Sequence, residues 1–568
     1  MSKIDPKRLQ TAFVRVGTPM FSEVMAQAAQ HSDLSHDRRR DIQSGLRRVA
    51  KALGRAPEEV PADATWLQKR LVDFAPASIG LTPKSWSNAL SDARAGLVLF
   101  GVVERRFRRK DDLSSEWQSA WMALRANGDL SLQPLSSFVY FLSRIGVDPS
   151  EVSEAHTLAY REAMVLNSIS KSPEVAYRAA VNMWNLAVQR IPEWPRQTFV
   201  LPSRSRAIRF ELQTFPKSFR EDLDLYACGL EHPDPLDALA VTRPLRPDSV
   251  RQYRTELLRF ASVLVRAGVP LVSITSLAAL VTAEHDELGL RWLLKQKNNV
   301  KTRGISEMAN LLRNVAKHYV RVDEACQTRL NKLESMLAMK TQNGMTTKNR
   351  DRLRPLEDPA TLRKLLQLPE QLFERSRADG DLHRAALARE DAVAIAIFLN
   401  CPIRRKNMAA IHLEQNLQRT GDGRVFLVFE PNEVKNDERI EFELPKSVVS
   451  LIDRHLARRV PQLCPAGTPW LFPKRDGSVP ADLSHFAGRV SQRIFRELGL
   501  RINVHLFRHI AAKMWLDAHP GHYEALRRLL GHKALSQTIN AYAGFEAGPL
   551  CQGSCPLLYF SLFLRWAG

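Results

Sequence analysis

The 568-residue sequence predicts a mainly α, multidomain protein with one small antiparallel sheet. Its length exceeds what a single hydrophobic core usually serves and points to three or four domains. Apolar residues recur at three- and four-residue spacing through most of the chain, which marks amphipathic helices. Clear two-residue alternation is confined to a pair of short runs between residues 425 and 444, which marks one hairpin.

The composition sets further bounds. Hydrophobic residues make up 44% and charged residues 25%, which are globular values and exclude a chain disordered throughout. There are 82 Lys plus Arg against 61 Asp plus Glu, a net charge of +21, and the pI is near 9.9. Because the basic residues are spread along the whole chain, nucleic acid is a better partner for them than a membrane surface. No apolar run reaches the ~20 residues that span a bilayer. The first twenty residues lack the apolar stretch of a signal peptide, so a cytoplasmic location without membrane contact is expected. Six cysteines, at 228, 326, 401, 464, 551 and 555, form neither a disulfide framework nor paired CxxC knuckles and read as reduced thiols.

Residues 1–235 read as a helical N-terminal region of one or two modules that binds DNA or a partner. The runs DRRRD (Asp37 to Asp41) and ERRFRRK (Glu104 to Lys110) could touch phosphate, although a solvated helix face is the ordinary explanation of each. Apolar helical stretches follow at Leu135 to Ile145, Ala155 to Val165 and Ala176 to Ile191. RIGV (Arg144 to Val147) and RAGV (Arg266 to Val269) both end an apolar helix with a proline close behind, an echo that fits related tandem modules or chance. Prolines between Gly229 and Pro247 place a domain boundary at 235–247.

A helix then begins, with Asp248 or Ser249 as its cap. Val250, Tyr253, Leu257, Phe260 and Leu264 form its stripe, and Gly268 stops it. Ile305, Met308, Leu312, Val315 and Tyr319 repeat that spacing, so residues 248–340 read as one compact helical domain. Residues 341–355 are polar and basic with no apolar stripe and read as a linker. Helices at Ala360 to Phe373 and Asp391 to Leu399 precede the hairpin, in which Val425, Leu427 and Phe429 face Ile440, Phe442 and Leu444 across a polar stretch containing PNEVKNDER.

Several enzyme signatures are absent: there is no GxxxxGK[ST] phosphate loop, no HExxH zinc helix and no GxSxG elbow. HLFRH (His505 to His509) stands out. His505 and Arg508 are three apart and are expected to point outward together, with Phe507, Ile510 and Met514 packed inward. LGH (Leu530 to His532) sets an imidazole just past Gly531, a residue suited to a left-handed helix cap. LSQTINAY then reads as a short helix capped by Ser536 and carrying Tyr542. Singly, each of these has an ordinary structural explanation.

Taken together they resemble the tyrosine recombinase (integrase) family, over roughly Ser249 to Glu546. PIRRKNMAAI resembles the family's first arginine pattern and places that residue at Arg404. The hairpin lysine falls on Lys435 in EVKNDERIEFELP, the HxxR pair on His505 and Arg508, the LGH histidine on His532, and the nucleophile on Tyr542 in AYAGFE. The resemblance implies a helical SAM-like core-binding domain at 248–340, a basic linker at 341–355, a mixed α/β catalytic domain at 356–546 and an atypical tail at 547–568. It also implies a C-shaped clamp on double-stranded DNA, a homotetramer on synapsed sites, a possible partner recombinase, and no cofactor or metal. The implied setting is a phage or mobile element of a bacterium, with the protein near the nucleoid. Two departures stand out: Asn407 replaces the acidic residue many members carry three after the first arginine, and the tail is abruptly apolar.

The chemistry fits those roles. Two guanidinium groups neutralise the non-bridging oxygens of a phosphodiester and hold it in line, a task for Arg404 and Arg508. Because Arg404 begins a predicted helix, free N–H groups and the helix dipole there are expected to add to anion binding. A phenol with a pKa near ~10 needs a proton acceptor, for which His505 is the candidate, while His532 hydrogen-bonds the phosphate. By family analogy Lys435 is the general acid for the leaving 5′-oxygen. A 3′-phosphotyrosine link would conserve the phosphodiester energy, so rejoining needs no ATP. His509 and Tyr523 read as structural. A topoisomerase IB-like relaxing enzyme and a catalytically silent or partner-dependent DNA-binding homologue are the competing readings.

Overall fold

The computed structural model describes residues 14–15, 17–106, 112–126, 130–202, 208–339 and 344–542. The second basic run lies partly outside them, and the tail after Tyr542 wholly so. The chain divides into two compact units, one comprising Met1–Leu201 with Asn343–Gly568 and the other Pro202–Gln342.

The N-terminal part of the first unit has two helical cores. The first is built from α1 (Phe21–Gln30), α2 (His36–Ala52), α3 (Ala64–Leu71) and α4 (Pro83–Leu99). Ser35 caps α2 by accepting from Arg38 N, and Asp63 caps α3 by accepting from Trp66 N. Gly45 lets α2 and α4 cross closely, since a Cβ there would meet Ala89 O at 2.8 Å. The second core gathers α5 (Ser115–Ala126), α6 (Ser136–Arg144), α7 (Glu154–Asn167) and α8 (Pro173–Arg190) around Trp117, Trp184 and Trp194. Two buried polar side chains tie the cores together. Gln68 Nε2 donates to Ser168 O at 2.8 Å, and Arg94 donates to the carbonyls of Glu104 and Asn167.

The second unit holds α9 (Lys217–Glu231), α10 (Pro247–Arg266), α11 (Ala283–Lys295), α12 (Arg303–Val315) and α13 (Glu324–Leu337) on one core. The sequence boundary at 235–247 is therefore displaced to about residue 202. Phe219, Leu223 and Leu230 of α9 pack with α10, and Leu245 N donates to Leu230 O, so the proline-rich stretch is an internal loop. The cap of α10 is also corrected: Arg246 is the N-cap and Pro247 opens the helix, which leaves Asp248 in the first turn. Tyr319 lies in a wider turn, Ala316–Val320, with its phenol 2.6 Å from Asp222 Oδ1.

The expected linker is structured as well. α14 (Thr347–Leu353) lies within it, and Met345, Leu353 and Leu356 enter the core of the C-terminal part of the first unit. Three apolar residues are too few to show as a stripe, yet they suffice to dock a helix of about two turns. α15 (Pro359–Arg375) and α16 (Leu382–Asn400) follow. α16 is buried on almost every side, so its sequence carries apolar and small residues all round with little amphipathic contrast. Its buried Asp391 meets two arginines of α19 (Leu483–Leu498), with Arg489 Nε and Arg493 Nε each 2.9 Å away.

After α17 (Arg405–Ala409), the described residues contain one antiparallel sheet in the order β1 (Leu417–Arg419), β2 (Val425–Phe429), β3 (Ile440–Glu443). Leu427 pairs with both Leu417 and Phe442, and Leu444 lies just past the strand expected to hold it. β1 is too short to show alternation. α18 (Lys446–Leu456), α20 (Leu506–Ala518), α21 (Tyr523–Leu530) and α22 (Leu535–Tyr542) complete the part.

Candidate active site

Arg404 stands where α16 has ended and α17 begins. The buried Cys401, Pro402 and Ile403 fix the chain there, and Arg404 is half-buried while Arg405 and Lys406 are exposed. Burial thus distinguishes Arg404 from its two basic neighbours. With five residues, α17 carries little of a macrodipole, so the dipole contribution expected at this arginine is minor.

Arg404 Nη2 donates to Asn436 Oδ1 at 3.3 Å, which ties it to the loop between β2 and β3. The same loop is held from below. Asn407 Nδ2 donates to Glu433 O at 3.0 Å, and the Glu433 carboxylate accepts from Asn416 Nδ2 at 3.1 Å and from Glu430 N at 2.8 Å. Asn407 therefore acts as a hydrogen-bond donor to the loop, a task that a carboxylate could not perform. Lys435 is exposed, between the fully buried Val434 and the Arg404 partner Asn436.

Arg508 corrects an expectation, for it does not point outward. It is 5% exposed, with Nη1 donating to Pro402 O at 2.5 Å and Nη2 to Leu530 O. One guanidinium thereby joins the segment before Arg404, helix α20 and the end of α21. Burial, and then the charge of Arg404, hold its pKa down to about 10, with Tyr542 acting in the opposite sense. Two like charges in a poorly hydrated place favour an anion between them.

His505 is the N-cap of α20 and is exposed. Desolvation at the site, followed by Arg508, Arg404 and Arg405, lowers its pKa and favours the neutral, proton-accepting imidazole. One turn on, His509 stacks edge-on between His505 and Tyr542, at centroid distances of 5.2 and 5.5 Å. Burial, and then His505 and Arg508, lower the His509 pKa to about 4. Gly531 (φ +58°) ends α21 in the left-handed conformation and delivers His532, whose Nδ1 is 2.9 Å from Thr538 Oγ1. When that hydroxyl donates to Nδ1, Nε2–H remains as a donor. Burial and then Arg508 push the His532 pKa down to about 4.

Tyr542 ends α22. That helix begins at Leu535, so Ser536 lies inside the first turn and is not the cap. The phenol is 3% exposed in the core, and burial raises its pKa to about 12 against the pull of Arg508. The structure thus brings Arg404, His505, Arg508, His532 and Tyr542 to one place and leaves Lys435 on the adjoining exposed loop. Sequence reasoning missed Thr538 and Asn436 as members of this cluster and read His509 as structural. The i, i+4 spacing of His505 and His509 was the available signal for the histidine.

Among the described residues, no group of three or more His, Cys, Asp or Glu side chains is placed to hold a metal ion, and no helix is long and apolar enough to cross a membrane. No family model and no curated protein matches the chain. Solved structures do. The Tn1549 transposon integrase in complex with circular intermediate DNA matches at 14% identity over 61% of this chain and 99% of that one, with a TM-score of 0.34. XerH site-specific recombinase in its pre-cleavage complex with difH matches at 13% identity over 61% and 94%, with a TM-score of 0.30. XerA recombinase matches at 11% identity over 57% and 93%, with a TM-score of 0.23. The solved structures to which this chain is similar thus include an integrase and two recombinases.

Proposed function

We propose that the protein is a site-specific DNA recombinase that cleaves and rejoins duplex DNA through a 3′-phosphotyrosine intermediate, without metal or ATP. The observation that carries this reading is one cluster in which the imidazoles of His509 and His532 lie against the phenol of Tyr542, with Arg404, Arg508 and His505 beside them. In this reading Arg404 and Arg508 hold the non-bridging oxygens, and His532 donates a further hydrogen bond to them. His505 takes the phenol proton as the Tyr542 oxygen bonds to phosphorus. The 5′-oxygen leaves with a proton from Lys435, and a second 5′-hydroxyl later reverses the step and frees the tyrosine.

Residues 248–340 would serve as the core-binding domain and 356–546 as the catalytic domain of a homotetramer on synapsed sites. The reaction would integrate, excise or transpose a mobile element. One observation favours a partner-dependent version: Tyr542 is buried here, so its hydroxyl reaches a phosphate after α22 has shifted.

The test incubates the protein with fragmented DNA from the flanks of its own gene in EDTA and sequences whatever DNA stays attached through SDS. An adduct that Tyr542→Phe abolishes supports the reading and reveals the cleavage site. DNA binding in a gel shift with no adduct, alone or with a partner recombinase, would overturn it in favour of a silent homologue.

A further inference from the structure

The helical modules share a local plan and differ in their surface. At the end of α2, Arg55 N donates to Ala50 O around Gly54 (φ +65°). Val147 N to Leu142 O around Gly146 (φ +71°) and Val269 N to Leu264 O around Gly268 (φ +108°) repeat the arrangement after α6 and α10. A tight 3₁₀ turn follows each time, at Pro57–Glu59, Pro149–Glu151 and Leu271–Ser273. The first two instances also share their text, GRAPEEV and GVDPSEV. The RIGV and RAGV echo is thus part of a threefold local repeat.

Charge separates the first from the third. On α10, Arg251, Arg254 and Arg259 are each paired with a carboxylate, from Asp248, Asp224 and Glu256. On α2 and α3, exposed Arg47, Arg48, Lys51 and Lys69 form no ion pair among the described residues, and Arg47 bonds only the neutral Gln43 there. Arg47, Lys51 and Arg55 line one cleft together with Glu58. Arg47 and Lys51 lie one turn apart on α2, a rise of about 6 Å, close to the ~6.8 Å axial rise of two phosphates on one DNA strand, and Arg55 follows just past the turn at Gly54. Beside the cleft, Arg55 and Arg70 both lie on the Trp66 ring, 5.5 and 3.9 Å from its centroid. Burial and then Arg55 lower the Arg70 pKa, as expected of like charges crowded together. The indole face offsets part of that repulsion, and a polyanion would relieve the rest.

We infer that the ridge formed by Arg47, Arg48, Lys51, Arg55 and Lys69 is a second contact with duplex DNA, made to the phosphate backbone without reading sequence. It rests on the recombinase reading for the identity of the polyanion. It gives the N-terminal module a role: lengthening the footprint beyond the site where Tyr542 acts.

The test compares the full chain with Arg47→Ala/Lys51→Ala/Lys69→Ala on a long duplex. All three side chains are exposed, and a thermal melt checks that the fold is unchanged. The expected result is a plot of log K against log salt shallower by about two to three, and a hydroxyl-radical footprint that loses its outer phosphates. Adduct formation on a short duplex should be unchanged. The charge-retaining Arg47→Lys/Lys51→Arg/Lys69→Arg should keep both the slope and the footprint. An unchanged slope and footprint in the alanine variant, with the adduct still formed, would overturn this inference and leave the recombinase reading standing. Loss of polyglutamate binding with DNA binding intact would reassign the ridge to an acidic polypeptide and overturn it too. Failure of the unaltered protein to bind DNA at all would remove both readings.

Discussion

The rings of His532 and Tyr542 lie parallel to within 2°, with centroids 6.3 Å apart. Thr538, fully buried on α22, sets that relationship by holding His532 Nδ1 from four residues before the tyrosine. The helix that carries Tyr542 therefore also orients an imidazole of the site.

Thr538→Val keeps the shape and removes the hydroxyl. Stability should fall by about 1–2 kcal/mol, measured by denaturant unfolding. The adduct-forming rate should fall about tenfold, as His532 loses its fixed orientation. An unchanged rate at the reduced stability would show that the contact only holds the helix.

Acid should destabilise the protein before its carboxylates titrate. His455 is fully buried, and burial followed by Arg459 and Arg389 lowers its pKa to about 3; His509 and His532 sit at about 4. All three are depressed from 6.5, so the unfolded chain takes up protons first as pH falls. Stability is full above about pH 6.5 and is lost below it, by up to ~1.4 kcal/mol per pH unit for each group. Melting temperature against pH should fall from 6.5 to 4.5, and His455→Leu should make that fall shallower.

Asp391→Ala should be among the most damaging single changes away from the site. It removes the buried carboxylate that Arg489 and Arg493, each about a fifth exposed, share, and leaves Arg489 to Glu390 and Arg493 to the longer 3.8 Å contact with Glu497. A loss of about 3–5 kcal/mol is expected. Asp391→Asn, which keeps the volume and some hydrogen bonding, should lose less, and equal losses in the two variants would refute the ionic account.

Asn407→Asp tests the loop anchor by replacing its amide donor with a carboxylate. A carboxylate cannot donate to Glu433 O, so the loop bearing Lys435 and Asn436 should loosen. Adduct formation should slow severalfold while DNA affinity stays within about twofold. Hydrogen exchange across residues 430–439 would report the loosening directly.

Long amphipathic helices such as α10 and α12 were legible because one face repeats and the other is polar. The hairpin was legible because β2 alternates cleanly. What escaped was set by tertiary context. α14 and its flanking residues dock through Met345, Leu353 and Leu356, too sparse a set to stand out beside their basic neighbours. α9 joined the second unit across a proline-rich loop that reads locally as a break. In the site, residue types and order were legible and orientation was not. Arg508 turned inward because the carbonyls of Pro402 and Leu530, 106 and 22 residues away, await it there. No local pattern encodes such partners.

On the proposed reading, the burial of Tyr542 makes turnover a product of two quantities. One is the intrinsic speed of attack, and the other is the fraction of molecules whose α22 has come away from the core. If that release costs about 3 kcal/mol, fewer than one molecule in a hundred is armed at any moment. Idle protein in a cell full of DNA would then seldom cut, and whatever stabilises the released helix, whether target site or neighbouring subunit, sets the timing of the first strand break.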